Sequence, residues 1–175
     1  VSANKNRGQA LTTPKNRLTR YNRRIANPSR AALALMYLDH YIGGDILTRT
    51  VKSIPKGSLS NAVLKKELSR KTDKPLDWFF DHYIHLDNNV DLKLQGKKIN
   101  AEISRIHINS TNSKVAIPIK KILTNGTQQT AWILSNDLPY EQDYKNAEIS
   151  SLTINKNQYI PERQLNNNTY QLGNG

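Results

Sequence analysis

An α+β fold is what this sequence predicts, with about four helices leading into a small antiparallel β-sandwich. Two observations carry the expectation. Apolar residues recur at helical spacing from Pro28 to about Leu86, and after Asp87-Asn88-Asn89 the period changes to two. A third supports it, because turn residues punctuate the second half at short intervals. The expected organisation is a basic, loop-rich lead-in over 1–27, a helical segment over 28–86 and a sandwich over 87–175.

The lead-in is polar, with Gly8 and Pro14, and holds at most a short helix near Arg17 to Ile25. In Ser29 to Ile42, one stripe is Ala31, Leu35, Leu38 and Ile42, while Ala32, Leu33, Ala34 and Met36 fill the other sides. A helix apolar all round is expected to be buried. Pro28 and Ser29 mark its start and Gly43-Gly44 its stop. Leu47, Thr50, Val51 and Ile54 outline a second helix that Pro55 and Gly57 end. A third starts at Ser58 or Ser60 and turns Leu64 and Leu68 inward. The fourth follows Pro75, with Leu76, Phe79, Phe80, Tyr83 and Ile84 on one stripe.

Strand-like alternation begins at Val90, Leu92 and Leu94, and Gly96 is read as the turn into Ile99, Ala101 and Ile103. Val115, Ile117 and Ile119 alternate next, where Pro118 suggests an edge strand or a bulge. Asn125-Gly126 is a strong hairpin signal ahead of Trp132 and Leu134. Leu152 and Ile154 supply another strand, and Tyr159-Ile160 or Thr169-Tyr170 the last. Seven or so such strands make a sandwich.

Length and composition bound the function classes. A chain of 175 residues can bury roughly 70 % of its unfolded surface, enough for one domain or two small ones. No cysteine is present, which removes disulfides and thiolate metal sites. No apolar run approaches the roughly 20 residues of a membrane-spanning helix. The chain opens on Val1 with no charged-then-apolar leader, and a start inside a larger protein is the working expectation.

Charge is concentrated. The net value is +12, and Lys5, Arg7, Lys15, Arg17, Arg20, Arg23, Arg24 and Arg30 all precede the first acidic residue, Asp39. Such a cluster can neutralise phosphates or an acidic protein surface. Lys15, Arg17, Arg20, Arg23 and Arg24 are the candidate polyanion-binding residues. They have no interleaved aromatic platform and no nucleic-acid motif, so the alternative is a solvated strip that faces an acidic neighbour.

Two passages resemble the aminopeptidase N-like gluzincin zinc metallopeptidases. The run Ser29-Arg30-Ala31-Ala32-Leu33-Ala34-Leu35-Met36-Tyr37-Leu38, continuing to Ile42-Gly43-Gly44-Asp45, is similar to the family's Leu-rich helix with its glycine stop. Lys74-Pro75-Leu76-Asp77-Trp78-Phe79-Phe80-Asp81-His82-Tyr83-Ile84 resembles the helix that closes its catalytic domain. A β-sandwich follows that helix in the family. Lys114 to Ile119 and Ile160-Pro161-Glu162 through Asn166-Asn167-Asn168 look like its middle and last strands, less specifically. The resemblance spans about residues 25–170.

What it implies is a C-terminal portion without the catalytic apparatus. Gluzincins hold zinc with the two histidines of His-Glu-x-x-His and a distant glutamate, and the motif's own glutamate is the general base. No such motif occurs among His40, His82, His85 and His107. His82 and His85 could share a helix face, but as an exposed pair rather than a metal site. No cofactor is expected in this chain, and zinc belongs to the presumed parent protein, whose remaining N-terminal and catalytic regions would be the partner. The resemblance also tilts localisation toward a secreted or cell-envelope protein.

One departure concerns catalysis. The family's oxyanion-stabilising tyrosine precedes the Leu-rich helix. Alignment through Gly43-Gly44 puts Pro28 there, and Tyr21, about two turns away, is the nearest candidate. Elsewhere, Asp137, Glu141 and Asp143 form an acidic cluster, read as a solvated loop without calcium-loop spacing. The alternative function is a basic binding or scaffold module contacting nucleic acid or an acidic partner.

Overall fold

The computed structural model describes residues 9–86, 90–111, 114–162 and 164–172. Lys5, Arg7 and Gly8 of the lead-in, and Asp87-Asn88-Asn89, lie outside the described residues. The protein is α+β, with helices in the first half and two antiparallel sheets in the second. It divides into two compact units, Val1–Asp87 and Asn88–Gly175.

In the first unit, helix α1 covers Asn27–Ile42, α2 Ile46–Ser53 and α3 Asn61–Ser69. Pro28 does not start the first of these. Helical backbone begins at Arg20, and the turn Asn22–Ala26 is π-helical. A proline removes the N–H that the carbonyl four residues back would use, and a widened turn just ahead absorbs the mismatch. Gly43 and Gly44, at φ of +80° and +65°, end α1 as expected. Ser60 caps α3, its hydroxyl accepting from the Val63 N–H at 3.2 Å.

The expectation of an all-round buried α1 fails. Ala34, Tyr37, Leu38, Tyr41 and Ile42 are buried at i, i+3, i+4, i+7 and i+8, but Leu35 is 46 % and Met36 60 % exposed. Within this unit the helical mass suffices to cover one side only. The closing segment consists of a π-helical turn, Trp78–His82, and a 3₁₀ turn, Tyr83–His85. Leu76, Trp78, Phe79, Phe80, Tyr83 and Ile84 are all buried. Their rings meet those of α1. Tyr37 lies 4.7 Å from Trp78 and 4.9 Å from Tyr83, and Tyr41 stands edge-on to Trp78 at 5.0 Å. Such pairs add about 0.5–1.5 kcal/mol each beyond area burial.

Among its described residues the second unit has seven strands. β1 is Asp91–Lys98, β2 Ile103–Thr111, β3 Ile117–Leu123, β4 Gln128–Ile133, β5 Tyr140–Lys145, β6 Ile149–Ile154 and β7 Thr169–Gln171. One sheet is ordered β1-β2-β5 and the other β4-β3-β6-β7. Inward-facing Leu92, Leu94, Ile106 and Ile108 of the first sheet, with Ile117, Ile119, Leu152 and Ile154 of the second, form the core.

Three strand details depart from the periodicity reading. Gly96 does not turn the chain; it sits inside β1, opposite Ile106. The turn comes later, where the Asn100 side-chain oxygen accepts from the N–H groups of Glu102 and Ile103. Pro118 lies in an interior strand. It precedes the first β3–β6 pair, Ile119↔Ile154, so its missing N–H falls outside that ladder. Glu141 and Asp143 belong to edge strand β5 rather than to a loop, and Arg105 of β2 holds them, at 3.4 Å and 2.7 Å. The Asn125-Gly126 hairpin is present, with Gly126 at φ +83° and the Asn125 side chain accepting from Thr127 N–H.

A polar knot ties the end of this unit down. Glu162 is buried and accepts from Asn155 Nδ2, from Asn168 Nδ2 at 2.8 Å and from Leu92 N–H at 3.1 Å. Asn155 also brackets Ile160 through its backbone N–H and carbonyl. Of the two passages offered for the last strand, Thr169-Tyr170 lies in β7, and Tyr159-Ile160 is irregular chain held by side-chain amides.

Candidate functional site: a cation-rimmed groove in the helical unit

Residues before α1 fold back on the unit, and Gln9 is the organiser. Its side-chain oxygen accepts from Thr19 N–H and from Asn22 Nδ2, both at 2.9 Å, and its amide donates to the Arg17 carbonyl at 3.0 Å. Arg30, buried in α1, donates to the Gln9 carbonyl at 2.8 Å and to the Leu86 carbonyl at 2.7 Å. A buried guanidinium has to fill its donors. Arg30 thus clamps both ends of the helical unit and is withdrawn from the cationic surface that sequence alone would give it.

The folded-back segment leaves a groove of about 520 Å³. Leu11 and Leu18 form one wall, Ala31 and Leu35 of α1 another, and Leu64, Phe79, Phe80 and Ile84 the floor and far side. Lys15 and Arg23 also line it. That volume and largely apolar lining suit an organic group or an apolar side-chain cluster.

The five candidate cations lie along this edge. Lys15, Arg17, Arg20, Arg23 and Arg24 are all exposed. Arg23 donates to the Lys15 carbonyl at 3.0 Å, which brings two of them together over the groove. Among the described residues none of the five forms an ion pair, whereas three cations elsewhere in this unit do. Lys65 bridges Asp77 and Asp81 at 2.8 Å and 2.9 Å, Arg49 reaches Asp45 at 2.7 Å, and Arg70 reaches Glu67 at 2.8 Å. The Asp77 and Asp81 contacts raise the Lys65 pKa, which keeps it charged.

Tyr21 is exposed, on the first turn of the helix that leads into α1. The histidine pair diverges in its surroundings. His82 is half-buried, while His85 is exposed with Nδ1 3.0 Å from the Thr12 hydroxyl. Among the described residues no three of His, Asp and Glu gather as metal ligands. No described helix is long and apolar enough to cross a membrane.

The groove itself could not be read from sequence. Its walls come from residues more than sixty positions apart, and no local pattern joins Leu11 and Leu18 to Phe79 and Ile84. No protein-family model, curated protein or solved structure matches the chain.

Proposed function

We propose that this chain is the C-terminal, non-zinc-binding portion of an aminopeptidase N-like gluzincin. In this reading it buttresses a peptide-hydrolysing centre that lies elsewhere in the parent protein. One observation carries the proposal. The two passages that bear the resemblance, Ser29 to Asp45 and Lys74 to Ile84, pack on each other through Tyr37, Tyr41, Trp78 and Tyr83. Lys74 fastens the same junction, donating to the Tyr41 carbonyl at 2.6 Å and lying over its ring. A closing helix that docks by its aromatic face is what the resemblance requires. Tyr21 is the candidate oxyanion donor, since Pro28 occupies the family's tyrosine position.

A second reading has its own observation. Five exposed cations without carboxylate partners among the described residues favour a basic module that contacts nucleic acid or an acidic protein.

The test is direct. The 175-residue chain should neither hold zinc stoichiometrically nor cleave amino-acid p-nitroanilides, while a longer product carrying an upstream His-Glu-x-x-His should do both. One tightly bound zinc per chain, lost with His82→Ala or His85→Ala, or the lack of any such motif upstream, would overturn the proposal.

A further inference from the structure

Part of the exposed apolar surface of α1 is shared with the groove. Pro28, Ala31 and Leu35 are exposed and also line the groove, and Met36, the residue after Leu35, is 60 % exposed. Contiguous exposed apolar surface beside a concave site marks a place where something docks. Charge says what kind of partner. Lys15 and Arg23 stand in the groove wall, and Arg17, Arg20 and Arg24 are exposed in the same ten-residue stretch. Arg49 on α2, Lys65 on α3 and Arg70 just after α3 have carboxylates within 3 Å. These five have none among the described residues, so the partner brings the negative charge.

A polynucleotide satisfies the cations but not the groove. Nucleic-acid platforms stack bases on exposed rings, and Tyr21 is the one exposed Phe, Tyr or Trp ring among the described residues of this unit. Leu35, Met36 and the cavity between Leu11 and Ile84 ask for aliphatic anchors at helical spacing. An amphipathic helix laid in a groove supplies them at i, i+3, i+4 and i+7.

We propose that this face docks an acidic amphipathic helix from the catalytic region of the parent protein. The inference rests on the peptidase-portion reading and adds the footprint and chemistry of the contact. Apolar residues of the incoming helix cover Leu35 and Met36 and enter the groove, and its carboxylates pair with Lys15 and Arg23.

The experiment uses the full-length protein. A photo-crosslinking benzoylphenylalanine replaces Met36, an exposed position that accepts it without disturbing the core, and the attached peptide is identified by mass spectrometry. The expected product is a segment outside residues 1–175, net negative, with apolar residues at helical spacing. Lys15→Glu combined with Arg23→Glu should lower its yield about tenfold, because like charges then face each other across the contact. Crosslinks confined to residues 1–175, to a second copy or to lipid overturn the proposal. So does a yield that the double reversal leaves unchanged. Peptidase activity is measured on the same preparation. An active zinc enzyme without the acidic crosslink sinks this inference and spares the peptidase reading. A full-length protein with no His-Glu-x-x-His sinks that reading, and the inference with it.

Discussion

The Tyr170 ring lies directly on the Cα of Gly96, in the space that a β-carbon there would need. Tyr170 belongs to β7 of one sheet and Gly96 to β1 of the other, so the pair closes the sandwich where no larger residue on β1 would fit. A glycine inside a strand signals close approach of another group, and an aromatic ring over it restores the lost packing.

Gly96→Ala is therefore expected to destabilise the protein by about 1–3 kcal/mol, the usual range for overpacking. Tyr170→Ala should cost stability on its own and leave Gly96→Ala nearly neutral in that background. A double-mutant cycle by urea denaturation reads the coupling. Additive effects would mean that the ring does not occupy the glycine's space.

Phe79→Ala and Phe80→Ala should each cost roughly 3–5 kcal/mol, since both rings are buried, 5.1 Å apart, and Phe79 stacks on Tyr83 at 5.5 Å. Equilibrium unfolding is the measurement. A change under about 0.5 kcal/mol would place that face outside the core.

The period change after residue 86 is the strongest signal in this sequence, and the structure divides there into helices and sheets. Local periodicity reports which face of an element is apolar. It does not report whether anything covers that face. Hence Leu35 and Met36 read as core and are surface. Strand β5 was invisible for the converse reason. As an edge strand with Glu141, Gln142 and Asp143 exposed, it buries only Tyr144 fully and reads as polar loop. Gly96 misled because a glycine in a turn and a glycine under a ring look alike until the ring is known. The candidate cations were legible as a run, but their grouping on an apolar groove depends on Gln9 and Arg30 folding the chain back. Arg30 itself was counted with the surface charge and proved to be a buried clamp.

Glu162 offers a test of pH dependence. Burial, its largest influence, pushes the carboxyl above the usual range, the negative charge of Asp91 adds to this, and hydrogen bonds from Asn155, Asn168 and Leu92 oppose it. A carboxyl raised in the folded state binds protons better there than when unfolded. Its contribution is fully present below the unfolded value of about 4.5 and is lost as pH rises through the folded one. Measured against Glu162→Gln, which cancels the other carboxylates, wild type should gain stability as pH falls from 7 toward 4.5. Glu162→Leu strands buried donors, at about 1–3 kcal/mol each, and should be the worse variant at every pH. If wild type instead gains on the glutamine variant as pH rises, the three hydrogen bonds outweigh burial.

The last prediction separates the two functional readings through the cations of residues 15–24. Lys15, Arg17, Arg20, Arg23 and Arg24 can release condensed counterions from any polyanion, so the isolated chain should bind heparin, DNA and RNA alike. Sequence preference requires an element that aims side chains at base edges or a platform that stacks bases, and this stretch exposes four guanidiniums, one ammonium, Asn16, Thr19 and the single ring of Tyr21 with no nucleic-acid motif to aim them. Binding should thus be weak at physiological salt and fall steeply as salt is raised, with a slope of about −0.9 per phosphate contacted on duplex DNA. Heparin should compete as well as nucleic acid does. Arg20→Glu, Arg23→Glu and Arg24→Glu together should abolish binding with little change in thermal unfolding, because all three side chains are exposed, none forms an ion pair among the described residues and only the Arg23 bond to the Lys15 carbonyl is lost. A fluorescence-anisotropy titration at two salt concentrations decides the matter. Tight binding that distinguishes one sequence from another, and that the triple reversal removes, would promote the basic module over the peptidase portion.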